Sequence, residues 1–185
     1  IQKTVVYNFR QNDIDNGGEG APLSPIYHLA LIKSLKRKNK VTIPISILNI
    51  GGIANITEID EEFNITSRDI GPGNCLIDKW IRKNSDKFYD EKGCFAEKGK
   101  VDKFIFDQYL ENYYYSKINS KRSLDTNDFD ISFAKGLSIE NGAATITSIT
   151  TELISKKVGT NKIYVCGGGR KNKFLINSLK DKIKN

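Results

Sequence analysis

The stretch VTIPISILNIGGIANITEID (41–60) constrains the fold of this chain more than any other. Its first half is apolar and rich in β-branched residues, which suits a buried strand. Gly51-Gly52 breaks the run, and strand character resumes at once, so the pair reads as a hairpin. FNITSRD (63–69) supplies a third strand, and KIYVCGGG (162–169) is a strand ending in glycines. TVVYNF (4–9) alternates enough to count as another. Between these lie helical stretches at 26–38, 74–83, around 103–115, 141–157 and 173–184. In the second of them Leu76, Ile77, Trp80 and Ile81 share one face. The region 84–135 is otherwise polar and aromatic. The order of elements predicts an α/β fold, a mixed β-sheet with flanking helices.

Charge and cysteine content narrow the function. The net charge is +7, but the lysines are scattered among acids. The densest run, KSLKRKNK (33–40), falls at a predicted helix end, where cations complement the helix dipole. A solvated helix end is the simplest reading and a polyanion site the alternative, so nucleic acid is not an expected partner. A basic surface also attracts phosphorylated ligands. Three cysteines without CxxC spacing argue against a disulfide framework and a zinc site. They fit a reducing, cytoplasmic compartment, and no metal-ligand set is read from the chain. The longest apolar run is about half of the ~20 residues a membrane span needs. The order basic-then-apolar of a signal peptide is not seen in IQKTVVYNFR. The chain contains no methionine, and it reads as cut from something longer.

Four glycine motifs carry the chemistry. In LNIGGIANIT (48–57) two glycines at a hairpin tip bare backbone N–H groups to a phosphate, and Asn55 adds a side-chain donor. A plain hairpin turn is the alternative. In RDIGPGNCLIDKW (68–80) Asp69 is expected to end a strand before a Gly-Pro-Gly turn, with Asn74 capping the helix and Asp78 in its early part. A carboxylate beside a bare glycine turn is well placed as a general base, or it simply hydrogen-bonds the turn. NGGEGAPL (16–23) suits close backbone approach to a sugar, or is a flexible loop. VCGGGRKNKFL (165–175) runs strand, three glycines and helix start, but lacks the GxGxxG order of a dinucleotide fold. His28, the only histidine, is expected to be structural. One histidine assembles no Ser-His-Asp or Cys-His site.

Taken together, FRxxD-xxxGGxGAPLxP, LNIGGIANIT, DxGPGNxLIDxW, the NGAATIT helix and VCGGG resemble the anhydro-N-acetylmuramic acid kinases, across nearly the whole chain. The resemblance implies a lobe of the actin-like ATPase (ribonuclease H-like) superfamily, with residues 1–40 as the tail of the first lobe and 41–185 as a second lobe truncated at its C-terminus. It implies ATP, Mg²⁺ and water acting on 1,6-anhydro-N-acetylmuramic acid to give N-acetylmuramic acid 6-phosphate, in peptidoglycan recycling. Asp69 matches the catalytic base. Gly17, Gly18, Gly20, Ala21 and Pro22 match the sugar loop, with Asn74 and Asp78 flanking the same pocket. Gly51, Gly52 and Asn55 match the second phosphate loop, and Gly167, Gly168, Gly169 and Asn172 the adenosine motif. The family's dimer is expected here too. Nothing in the chain matches the family's GTSxDG phosphate loop. Glu19 replaces a glutamine, Lys121-Arg122-Ser123 replaces PKS, and Asn141 replaces an aspartate. A kinase that needs an N-terminal half carrying GTSxDG, and a degenerate nucleotide- or sugar-binding module, are the two readings.

Overall fold

The computed structural model describes residues 4–18, 20–116, 123–159 and 162–184. The substitutions at Glu19, Lys121 and Arg122 lie outside the described residues. β1 (Ile45–Ile50), β2 (Ile53–Ile59) and β3 (Ile65–Pro72) form an antiparallel meander. β4 (Lys162–Cys166) adds to β1 in parallel, giving one sheet of order β3-β2-β1-β4. β1, β3 and β4 therefore run the same way, and their carboxyl ends lie at one edge of the molecule. The fold is the mixed α/β sheet with flanking helices that the pattern predicts.

The two faces of the sheet are covered differently. Leu48, Ile50, Ile56 and Ile70 face the main core. They pack with Leu76, Trp80 and Ile81 of α3 (Cys75–Asn84) and with Ile146, Ile149 and Leu153 of α6 (Ile139–Ser155). Each fully buried side chain of this kind contributes ~1.5–3 kcal/mol. α6 is buried almost all round, because α4 (Cys94–Lys98), α5 (Lys103–Tyr115) and α7 (Lys173–Lys184) enclose its other sides. On the opposite face, Ile45, Ile47 and Ile59 meet Ile32 of α2 (Pro25–Arg37). None of the helices is long and apolar enough to cross a membrane, among the described residues.

Two expectations are corrected. Residues 4–8 form no strand, and α1 (Phe9–Asp15) begins where the predicted strand ends. Val5, Val6 and Tyr7 are exposed and pair with none of the four strands. β1 also starts four residues later than predicted, after Pro44, which has no N–H to give to a ladder.

α2 is pinned by one polar contact. His28 is buried, and its Nδ1 lies 2.9 Å from Thr57 Oγ1 on β2. Farther along, Lys33 and Lys36 stack over Phe63 in the β2–β3 turn. α2 thus runs in the direction of β2, and its amino end points toward the Gly51-Gly52 tip.

Burial holds the His28 pKa below its ordinary value of 6.5. A depressed histidine pKa means the unfolded chain takes the proton first. Burial of the neutral ring is therefore fully tolerated above pH 6.5, and stability is lost as pH falls below that through the folded-state value. Thermal melts from pH 7.5 to 5.0 should show stability falling, and His28→Gln should flatten that dependence; parallel curves would refute the link.

Gly142 makes a second test. Glycine to alanine inside a helix normally stabilises by ~1 kcal/mol. Here a Cβ would sit 2.2 Å from Trp80 Cε2 and Cζ2, and Trp80 Nε1 is held by the Ile139 carbonyl at 2.9 Å. Gly142→Ala should instead destabilise by ~1–3 kcal/mol through overpacking. A urea midpoint equal to wild type would show that α6 can move off α3.

Candidate functional site

Three glycine turns meet beyond the carboxyl ends of β1, β3 and β4, the end at which open α/β sheets bind ligands. The Gly51 carbonyl accepts from the Asn74 backbone N–H at 2.7 Å and from its side-chain amide at 3.0 Å. The Gly52 carbonyl accepts from the N–H groups of Gly73 at 2.9 Å and Cys75 at 3.1 Å. These donors belong to the start of α3, where a helix leaves amides without internal partners. The hairpin tip therefore caps α3. Space is tight: a Cβ at Gly73 would lie 2.3 Å from the Gly51 oxygen. The triple-glycine turn closes from the other side. Gly167 adopts φ +81°, and a Cβ there would fall 2.5 Å from both Asn49 Oδ1 and the Ile50 carbonyl. Asn74 occupies the N-cap position, but its side chain makes no cap bond; it donates instead to the Ile50 and Gly51 carbonyls. The expected capping role is corrected accordingly.

Asp69 lies one residue from a strand irregularity. β3 runs on to Pro72 rather than ending at Asp69, and a proline is tolerated there because β3 is an edge strand. Asn55 pairs with Asp69 and Ala54 with Gly71, so Ile70 is the extra residue of a bulge. Asp69 is only 9% exposed. Its Oδ2 accepts the Leu124 N–H at 2.9 Å. The Lys79 ammonium holds the following turn by the carbonyls of Thr126 (2.6 Å) and Phe129 (2.8 Å). A capping box between Asp125 and Asp128 closes it. Asn49, Asn55 and Asp69 are successive register partners across β1, β2 and β3. By alternation they stand on the face that α2 covers lower down.

The cavity at this end lies on the other face. Its 350 Å³ are lined by Asn74, Asp78, Tyr89, Asp90, Gly168 and Asn172, with Lys92 and Lys171 at its wall. Burial raises the Asp78 carboxyl above the usual range, partly offset by Arg82. Asp90 is also raised by burial, and its oxygens accept the N–H groups of Phe95 and Ala96 at the start of α4. Asn172 Oδ1 accepts the Leu175 N–H at 3.0 Å and so caps α7.

The predicted residues thus fall into three places. Gly51, Gly52, Asn74, Asp78, Gly167, Gly168, Gly169 and Asn172 gather around the turns and the cavity. Asn55 and Asp69 stand together across β2 and β3. Gly17, Gly18, Gly20, Ala21 and Pro22 lie in the loop before α2. There the Gly17, Gly18 and Gly20 amides donate to Ile14, to the Asp13 carbonyl and to Asp13 Oδ2. No hydrogen bond joins this loop to the turns among the described residues. Sequence reasoning missed Lys79, the Leu124 amide, Tyr89, Asp90 and Lys92. Only the capping-box pattern in LDTNDF was a usable signal for that group.

Replacing Asn74 tests the cap. Asn74→Ala should cost ~1–2 kcal/mol for the lost donors. Asn74→Asp should cost more at neutral pH, since a carboxylate would face two carbonyl oxygens. Urea titrations in which the aspartate variant is the more stable would show that this amide is not the latch.

Residues 2–185 match the family described as anhydro-N-acetylmuramic acid kinase. The anhydro-N-acetylmuramic acid kinase of Pelagibacter ubique is 44% identical over 194 residues, covering 99% of this chain and 51% of its own length. That of Zymomonas mobilis is 41% identical, covering 98% and 49%. Among solved structures, the activator of the 2-hydroxyisocaproyl-CoA dehydratase from Clostridium difficile, with bound ADPNP, is 14% identical. Its TM-score is 0.47, covering 78% of this chain and 53% of that one. The chain spans about half the length of the curated relatives it matches. With a match running from residue 2 to residue 185, the chain belongs to the anhydro-N-acetylmuramic acid kinase family.

Proposed function

We propose that this chain forms the actin-like second lobe, with the tail of the first, of a kinase that opens and phosphorylates 1,6-anhydro-N-acetylmuramic acid. The observation that carries the reading is the meeting of three glycine turns at one sheet end beside a buried carboxylate. Gly51 and Gly52 let phosphate oxygens approach backbone, since Gly52 is exposed and a Cβ there would meet only Thr126 Cγ2, at 3.3 Å. Gly168 is equally open, with nothing nearer than the Asn74 amide at 3.8 Å. These positions suit ATP, with the base and ribose toward the cavity lined by Gly168 and Asn172. No three His, Cys, Asp or Glu groups converge to hold a cation among the described residues. By the resemblance, Mg²⁺ would bridge the phosphates and offset charge in transfer.

In the reaction, Asp69 takes a proton from a water whose oxygen bonds to the anomeric carbon. The bond from that carbon to the bridging oxygen breaks, and this oxygen takes the γ-phosphoryl group. The products are N-acetylmuramic acid 6-phosphate and ADP, and Asp69 releases its proton to solvent. The loop with Gly17, Gly18, Gly20, Ala21 and Pro22 receives the sugar. A segment carrying the GTSxDG loop supplies the other half of the phosphate cradle. We place the assembled enzyme in the cytoplasm, where its ATP is, as a homodimer.

Asp69→Asn in the enzyme with both lobes keeps shape and removes the base. Turnover should fall by at least the ~10²-fold typical of lost general-base catalysis. ATP affinity and melting temperature should hardly change. Near-normal turnover would end the assignment. A lowered melting temperature with normal turnover per folded molecule would make Asp69 a brace of its turn.

A further inference from the structure

Asn55 stands out because its side-chain oxygen is buried and accepts no hydrogen bond. A buried acceptor left without a donor costs ~1–3 kcal/mol. Its neighbours on the same row are already engaged. Asn49 Oδ1 lies 3.7 Å from the Cys166 thiol, which can donate to it. Asp69 Oδ2 receives the Leu124 amide. Asn55 is the register partner of Asp69. Directly opposite residues on one face of an antiparallel pair have Cβ atoms ~4.5–5.5 Å apart. The bulge at Ile70 falls immediately beyond this pair, and bulges serve to re-aim a side chain. The Asn55 amide and the Asp69 carboxylate thus spring from directly opposed positions on one face of the sheet.

We propose that Asn55 is a positioning residue for the nucleophilic water. This rests on Asp69 being the base. Water has two O–H groups, and the row offers it two acceptors. One O–H donates to the Asp69 carboxylate, which takes that proton as the water oxygen bonds to the anomeric carbon. The other donates to Asn55 Oδ1 and stays in place through the reaction. With both hydrogens held, the two lone pairs of the water face one side only. The resemblance puts Asn55 in the phosphate loop, whereas the pairing puts it with the carboxylate. A group kept for this purpose is stabilising to the reaction and costly to the fold.

The test uses the two-lobed enzyme and measures kcat, both KM values, the pH profile and the melting temperature for Asn55→Ala and Asn55→Asp. Asn55→Ala should lower kcat at least tenfold, leave the KM for ATP within twofold, and melt no lower than wild type. Asn55→Asp sets a like charge beside Asp69 and should move the acid limb of the kcat profile to higher pH. A raised KM for ATP with unchanged kcat would return Asn55 to the phosphate loop and overturn the proposal. A lowered melting temperature with normal kcat per folded molecule and an unmoved pH profile would make it a brace of the bulge. If Asp69→Asn is inactive while both Asn55 variants turn over normally, this inference alone fails. If Asp69→Asn turns over normally, the reading beneath it fails.

Discussion

The amino end of α3 needs acceptors, and two carbonyl oxygens supply them. Gly51 and Gly52 together take four hydrogen bonds from Gly73, Asn74 and Cys75. Helices leave such donors unpaired by geometry, and burying them unpaired is costly. Meeting that requirement with a hairpin tip, rather than a side-chain cap, fixes the distance between the first two glycine motifs. It also explains why Gly73 admits no Cβ. The triple-glycine turn then fits against what is left of β1, with Gly167 and Gly169 on Asn49 and Ile50. The site is a by-product of capping one helix with one turn.

The sheet divides this site into two sides. α3, α7 and the cavity belong to the face of the main core, while Asp69 and Asn55 belong to the face of α2. Asn74 and Asp78 flank the sugar pocket in the resemblance, yet they line a cavity with Gly168 and Asn172. The segment around Leu124 crosses to Asp69 from the main-core side, tied down by Lys79. It reaches the carboxylate through Leu124 and the hairpin tip through Thr126.

Periodicity revealed the elements whose own residues decide their fate. The helices Lys103–Tyr115 and Lys173–Lys184 stand where the pattern put them, as does the hairpin around Gly51-Gly52. It failed where a partner decides. Residues 4–8 alternate like a strand but pair with no strand of the sheet, and Asp69 sits inside a strand because Ile53 and Ala54 extend the pairing to Pro72. Asn74 read as a helix cap because nothing in its neighbours announces two carbonyls from a turn more than twenty residues earlier. Tyr89, Asp90 and Lys92 come from a stretch without period, so only the folded chain places them in the cavity. The glycine motifs were legible as separate turns from pattern alone; only the resemblance to the family set them around one site.

The direction of α2 carries one more consequence. Its carboxyl end bears Lys36 and Arg37, which offset the partial negative charge there, and its first turn contains no acidic residue. The partial positive charge of its amino end is therefore not offset by the helix's own first turn, and that end points toward the Gly51-Gly52 end of the sheet. A helix end contributes ~0.3–1 kcal/mol to a nearby anion. A negatively charged ligand or side chain is favoured near that helix end, and the His28–Thr57 contact, with Ile32 on the sheet, is what seats the helix in this direction.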